Sequence, residues 1–310
     1  MDPLKDIKPE WDSTVPLMIE SQERGHAVFY IEPKDLFVRN SLAYAHCSLV
    51  DLNSAIQYTI KRRKTIKLDS FDAIIIRNDP PFDLDYLYMT YILDLVGSRT
   101  FIMNSPQGLR NLNEKFFVTH FKEFMAETLI SKDSEIILDF LKKHKKIVSK
   151  ELHGHGGHEV SLLQYKKPLQ QLKNKIKKIT RNDTEYIMVQ EFIHDTLVGD
   201  KRIHILNGNI LASIFKRTKK GEFRANLSYG GTIEPTTLTK KEKQLAAHIG
   251  KELVNQGIYF AGLDVVGERI IDINVTSPSF IPGTNKANGI RMEKDIIDFV
   301  EETCYSNKSK

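Results

Sequence analysis

Short apolar runs bounded by turn residues recur along the chain, and stretches with helical spacing lie between them. That interleaving constrains the fold more than any other feature, because it calls for strands covered by helices, an α/β architecture. "TVPLMIESQERG" has helical spacing and a stop at Gly25, and the strand-like "HAVFYIE" follows. "FDAIIIRND" reads as a buried strand from Phe71 to Arg77, closed by the proline-marked loop "DPPFD". "DYLYMTYILDLVG" is helical with a stop at Gly97, "FIMNSP" is a short strand, and "GLRNLNEKFFVTHF" leads into a further helix. These form a first unit of βα type over residues 1–112. A second unit, 113–190, carries helices and a glycine-dense loop and ends in the strand "YIMVQEFI". The third, 191–310, opens with the hairpin "KRIHILNGNILASIFKR", whose Asn207-Gly208 pair is a strong two-residue turn signal. It continues through the helix "KKEKQLAAHIGKELVNQG", a second hairpin "AGLDVVGERIIDINV" and a last helix near Arg291–Cys304.

At 310 residues the chain is too long for one small domain. No apolar run approaches the ~20 residues that span a bilayer, and the acidic, proline-bearing start "MDPLKDIKPEWDST" is not a signal peptide. Cys47 and Cys304 give no disulfide framework, so a reducing cytoplasm is expected. A net charge of +5 raises the question of nucleic acid. The basic runs "KRRK", "KKHKK" and "KNKIKK" are scattered and lack interleaved aromatics, which favours a solvated surface and an anionic small substrate.

Three groups of residues carry chemistry. In the second hairpin Asp272 and Asn274 are two apart on one strand and share a face. A three-residue loop, Gly267–Arg269, pairs Val266 with Ile270 and sets Asp264 opposite Asp272, with Val265, Ile271, Ile273 and Val275 on the other face. Three hard oxygen donors then converge and suit Mg²⁺. A two-residue loop would send Asp264 to the wrong face, and an acidic sheet edge is the plainer alternative. Lys115 and Lys150 can neutralise phosphate as point cations or be surface lysines. In "KELHGHGGHEV", Gly154, Gly156 and Gly157 suit a phosphate loop and the histidines a metal site, or the cluster does neither. Arg202 and Arg224 can grip an anion bidentately or bridge to neighbouring acids.

The order lysine, lysine with glycine loop, "QEF", "DKR", an Arg/Asn loop and Asp…Asp-x-Asn resembles that of the ATP-grasp ligases. More narrowly, the chain resembles bacterial glutathione synthetases over nearly its whole length. "RNDPPFD", "TYIL", "NSPQGLRNLNEK", "GDKRIHILNG", "RANLSYGG" and "INVTSP" carry the match. The resemblance implies an ATP-grasp fold behind an N-terminal doubly wound, pre-ATP-grasp domain. It implies ATP-driven ligation of γ-glutamylcysteine and glycine through an acyl phosphate. Lys115, Lys150 and the loop glycines would contact ATP phosphates, and Gln190 and Glu191 would lie at the adenine hinge. Asp264, Asp272 and Asn274 would hold Mg²⁺, with Mn²⁺ as the alternative. Arg202 would grip substrate, Arg224 and Asn226 the transferred phosphate, and Asp12 to Thr14 would belong to the dipeptide side. A homo-oligomer working in the cytoplasm on small molecules, with neither nucleic acid nor membrane as partner, is also implied.

The chain departs from that pattern in places. Before its glycine loop the family usually reads Lys-Pro-Leu-Asp, whereas Lys150-Glu151-Leu152-His153 puts a carboxylate beside the lysine. Asp272 stands where glutamate is usual, one methylene shorter. "SFIPGTNKANGIR" replaces an Ile-Arg-Glu stretch, and Thr232 stands where arginine or glycine is common. Histidine spacings of two and three in His153, His155 and His158 cannot share a helix face, which argues against a preformed zinc site and for loop histidines over phosphate. "MDP" begins where a first hydrophobic strand should have ended, so either the natural start lies upstream or the N-terminal sheet lacks that strand. Besides an active synthetase, the departures leave a ligase for another substrate pair and a weakened nucleotide binder as readings.

Overall fold

The computed structural model describes residues 1–7, 12–54, 57–153, 160–166 and 168–308. Helix α1 (Thr14–Glu23) starts where Asp12 Oδ1 accepts the backbone N–H groups of Thr14 and Val15. Strands β1 (Phe29–Tyr30), β2 (Leu36–Arg39), β3 (Leu42–Ser54) and β4 (Gln57–Lys67) form an antiparallel sheet in which β3 pairs with the other three. The β3–β4 ribbon was not read from the sequence, because β4 carries little apolar alternation. Its "KRRK" run is exposed, and Lys61 pairs with Asp51 at 2.6 Å. Lysines and arginines on such an edge discourage further strand pairing.

Strand β5 (Ala73–Ile75), helix α2 (Leu84–Leu93), strand β6 (Phe101–Met103) and helix α3 (Pro106–Asn111) follow, with β5 and β6 parallel. Among the described residues this pair is the parallel part of the first unit. The expected strand over Phe71–Arg77 is shorter than its apolar run, because Arg77 turns inward. Its guanidinium donates to Thr14 Oγ1 at 3.2 Å and to the carbonyl of Pro278 at 3.0 Å.

The middle of the chain holds β7 (Thr128–Ser131), α4 (Ser134–His144), β8 (Lys146–Glu151), β9 (Val160–Gln164), α5 (Leu169–Ile179) and β10 (Ile187–Glu191). Its antiparallel sheet runs β7-β10-β8-β9. Ile137, Leu138 and Leu141 of α4 with Leu172 and Ile176 of α5 close a core of their own over Ile147, Leu163, Ile187 and Val189. Helical spacing on one side and strand alternation on the other produce that match.

The last part holds β11 (Gly199–Leu206), β12 (Asn209–Arg217), β13 (Thr232–Pro235), α6 (Lys240–Asn255), β14 (Phe260–Val266), β15 (Arg269–Asn274), α7 (Ile281–Asn288) and α8 (Met292–Lys308). The sheet order is β13-β12-β11-β14-β15, antiparallel throughout. Ile203, Ile205, Leu263, Val265, Ile270 and Ile273 turn one face of this sheet into the main core with Leu245, Ile249 and Leu253 of α6.

Both hairpins depend on two-residue turns with positive φ. Asn207 (46°) and Gly208 (78°) make the expected one. The second corrects the three-residue loop read from sequence. Gly267 (53°) and Glu268 (61°) are the turn, and Val266 pairs with Arg269 rather than Ile270. A β-bulge then absorbs Ile271, so Val265 pairs with Ile270 while Asp264 still pairs with Asp272. One extra residue in a strand shifts all later side chains to the opposite face, which restores the alignment that a two-residue loop alone would have lost. The bulge also takes Ile271 off the apolar face to which the sequence had assigned it.

The first turn is docked on α6 so closely that a Cβ on Gly250 would lie 2.3 Å from the carbonyl oxygen of Gly208. Gly250→Ala should therefore destabilise the protein by about 1–3 kcal/mol despite the better helix propensity of alanine. Urea unfolding measures this, and a stabilised variant would mean that the turn does not bear on the helix.

Candidate active site

The apolar face of the last sheet is matched by a charged one. Asp200 and Arg202 alternate on β11, and the register sets Lys216 opposite Asp200, Asp264 opposite Arg202, and Asp272 opposite Asp264. One polar row thus crosses four strands. Arg202 grips Asp264 bidentately, Nε to Oδ1 at 2.8 Å and Nη2 to Oδ2 at 2.9 Å. Lys216 Nζ donates to Asp264 Oδ1 at 2.9 Å and lies 2.7 Å from Asp200 Oδ1. Asn274 Nδ2 donates to Asp264 Oδ2 at 3.1 Å and to the carbonyl of Gly262 at 3.2 Å. Burial alone would raise the Asp264 carboxyl, but Arg202 and Lys216 outweigh it and hold that carboxyl well below the usual range.

This row floors a cavity of about 510 Å³ whose opposite wall is the middle sheet. Lys150, on β8, reaches across, and its Nζ donates to the carbonyl of Ile271, the bulge residue, at 2.7 Å. Burial pulls its ammonium below the ordinary lysine value, against the attraction of Asp272. Lys115 is buried at the same cavity. Its neighbours fix that position: Asn113 Nδ2 donates to the carbonyl of Leu152, just past β8, at 3.1 Å. Glu114 Oε1 accepts from the backbone N–H groups of Val275 (2.7 Å) and Thr276 (3.0 Å) and from the Thr276 hydroxyl (2.9 Å).

The other expected residues line the same space to different degrees. Gln190 is buried and donates to Thr128 Oγ1 at 3.1 Å, and Glu191 lies 3.6 Å from Arg269. Both face the cavity at the end of β10. Arg224 and Asn226 line it as well, with the Arg224 guanidinium paired to Glu222 (2.8 Å) and stacked 3.5 Å over the Tyr229 ring. Asp12 borders the cavity, while Ser13 Oγ accepts from the N–H of Ile281 and Thr14 from Arg77. Gly154, Gly156, Gly157, His155 and His158 lie outside the described residues. A larger, mainly apolar cavity of about 670 Å³ lies between α1, β5 and α8 and carries none of the charged row.

Sequence reasoning missed Glu114, Asp200 and Lys216. Lys216 and Asp200 were legible only as members of two strands; that they oppose each other needed the register. Glu114 had no signal beyond its place beside Lys115.

The donor set fits a divalent cation. Asp272 Oδ1 is buried and has no hydrogen-bond partner among the described residues, and Asn274 keeps its carbonyl oxygen as an acceptor while its Nδ2 is engaged. Two oxygen donors two residues apart on one strand face suit a hard cation. Asp264 supplies the second carboxylate and the third donor residue, held by Arg202, Lys216 and Asn274. Among the described residues no group of three His, Cys, Asp or Glu side chains gathers as a metal site, here or elsewhere, so this donor set rests on two carboxylates and an amide; no described helix is long and apolar enough to cross a membrane.

Comparison with known proteins agrees with this architecture. The family profile described as prokaryotic glutathione synthetase, N-terminal domain, matches residues 1–110, and the one described as prokaryotic glutathione synthetase, ATP-grasp domain, matches residues 114–289. A glutathione synthetase of Vibrio cholerae serotype O1 is 36% identical over 305 residues, covering 97% of this chain and 95% of its own. One from Buchnera aphidicola subsp. Baizongia pistaciae is 34% identical over 314 residues, covering 100% and 96%. Among solved structures, an ATP-grasp RimK domain protein from Sphaerobacter thermophilus superposes with a TM-score of 0.61 at 17% identity, covering 92% of this chain and 93% of its own. The ATP-grasp ligase PsnB complexed with minimal precursor gives 0.63 at 14%, covering 93% and 94%. These two show the fold.

Behind the row, His204 is fully buried, stacked near Phe260, with Nε2 3.0 Å from Thr284 Oγ1. Burial, aided by Arg202, pushes its pKa down to about 3, so the folded protein keeps it neutral. The unfolded chain takes up the proton near 6.5. Its stability contribution is therefore complete above pH 6.5 and is lost as pH falls toward 3. Between pH 7 and pH 5 this group should remove about 2 kcal/mol. Urea unfolding at both pH values, with His204→Asn as the control, reads the loss; an equal pH dependence in the variant would contradict it.

Proposed function

The chain belongs to the prokaryotic glutathione synthetase family, and from that premise we propose how its residues serve the ligation. Its activity is that of an ATP-dependent ligase that makes glutathione. In the finer reading, ATP phosphorylates the carboxylate of γ-glutamylcysteine, and the amine of glycine displaces phosphate from the acyl group. A carboxylate is a poor acyl donor, so this activation is the physical need that ATP meets, and the reactive acyl group has to be kept from water.

One observation carries the assignment of roles: Lys150 of the middle sheet is bonded to the carbonyl of Ile271, beside Asp272. It ties a buried ammonium in one wall of the cavity to the row of oxygen donors in the other. Lys150 and Lys115 then hold the transferred and neighbouring phosphates between the sheets, and Gln190 and Glu191 border the adenine. Asp264, Asp272 and Asn274 hold Mg²⁺ or Mn²⁺. When bound, that cation would offset the negative charge of the phosphates. Arg202 orients the substrate acid, with Arg224 and Asn226 on the transferred phosphate once Arg224 leaves Glu222. Asp12 to Thr14 serve the dipeptide side, close to the loop after Pro278. The three functional parts divide near residues 112 and 190, which the separate core of the middle sheet supports. Cys47 and Cys304 are not joined in a disulfide, which supports a reducing compartment.

Purified protein with ATP, Mg²⁺, γ-glutamylcysteine and glycine should release phosphate only when both substrates are present. Release with another acid and amine would favour a ligase of different substrates, and silence despite ATP binding a weakened homologue. Asp272→Glu should leave turnover unchanged or lower it, since the bulge already positions the shorter side chain. A gain in turnover would mean that Asp272 weakens the site.

A further inference from the structure

A carboxylate offers about four lone-pair directions, and Asp264 has all four engaged. Oδ1 accepts from Arg202 Nε and Lys216 Nζ, and Oδ2 from Arg202 Nη2 and Asn274 Nδ2. Any cation that takes Asp264 as a ligand therefore has to displace a donor already there. Asn274 is neutral, and its departure would leave two positive side chains against the incoming cation. Arg202 is held by two parallel bonds, the geometry hardest to undo. Lys216 is held by one, and it has somewhere to go. Asp200 Oδ1 lies 2.7 Å from Nζ, yet it is buried with no hydrogen-bond partner in alignment. A turn of the ammonium from Asp264 to Asp200 satisfies that oxygen and keeps the lysine charge compensated.

We infer that Lys216 competes with the divalent cation for Asp264, and that Asp200 is the seat to which Lys216 moves when the cation binds. The inference rests on the metal role given to Asp264 above. Lys216 thereby offsets part of the carboxylate charge at Asp264 while the cation is absent. Free cation binds poorly, because it has to overcome an ammonium on the same carboxylate.

Mn²⁺ binding to the nucleotide-free protein tests this, with the free ion counted by electron paramagnetic resonance. Lys216→Met should bind Mn²⁺ about tenfold more tightly than the parent, because one unit of competing charge is gone. Asp200→Asn should bind it severalfold more weakly, because Lys216 then has only Asp264. The double variant D200N/K216M, which leaves no charge of this pair unpaired, should match K216M. A purely structural role for the pair would weaken binding in all three. No change or a loss in both K216M and the double variant overturns the inference, as does tighter binding in D200N. Asp264→Asn separates the two readings. If it binds Mn²⁺ like the parent, the metal role of Asp264 fails and this inference with it. If it loses Mn²⁺ while K216M gains nothing, the metal role stands and only the competition is refuted.

Discussion

The Asp264 carboxylate is the charge on which this site depends. It is buried in a sheet whose other face is solid hydrocarbon, and an isolated buried carboxylate would neutralise itself by taking a proton. Arg202 and Lys216 prevent that. Each of those cations is in turn buried, and leaving either without its acid would be strongly destabilising. The row is thus tolerated only as a set, and strand register is what assembles the set. Asp200 faces Lys216, Arg202 faces Asp264, and Asp264 faces Asp272 because adjacent antiparallel strands keep those partners opposite one another.

A second level of organisation joins the two sheets that wall the cavity. Three consecutive residues, Asn113, Glu114 and Lys115, reach three places. Asn113 holds the end of β8, Glu114 caps the chain leaving β15, and Lys115 lines the cavity between them. Lys150 adds the direct bond across to Ile271. The first unit of the chain contributes through Arg77 and Ser13, which pin the backbone on either side of Ser279. Phe280, in this loop, has φ 80° and lays its ring 5.0 Å from the Arg202 guanidinium. An aromatic residue at positive φ is strained and persists only where its surroundings over-determine it; those bonds provide such surroundings.

How far the site could be read in advance differed from residue to residue. Asp272 and Asn274 were legible because strand alternation puts residues two apart on one face, and Asn207-Gly208 because a two-residue turn requires positive φ. The partnership of Asp264 with Asp272 was reached through the wrong loop. The true turn is shorter, and the bulge at Ile271 compensates. Bulges leave little trace in a single sequence, since an extra isoleucine in an apolar strand looks like any other. Lys216 and Glu114 were hidden for another reason: their importance lies in partners 48 and 161 residues away.

The sequence by itself determined the α/β class, the order of the chemical groups along the chain, and the Asn207-Gly208 turn at which the first hairpin had to form. These follow from local preferences: apolar period, glycine and asparagine at positive φ, and the caps of helices. Only the tertiary structure decided which charges meet, that Asp264 is shared by two cations, and that Lys150 touches the strand carrying the oxygen donors. Those outcomes depend on register and on the packing of one sheet over another, and both arise from long-range burial that no short stretch of sequence encodes.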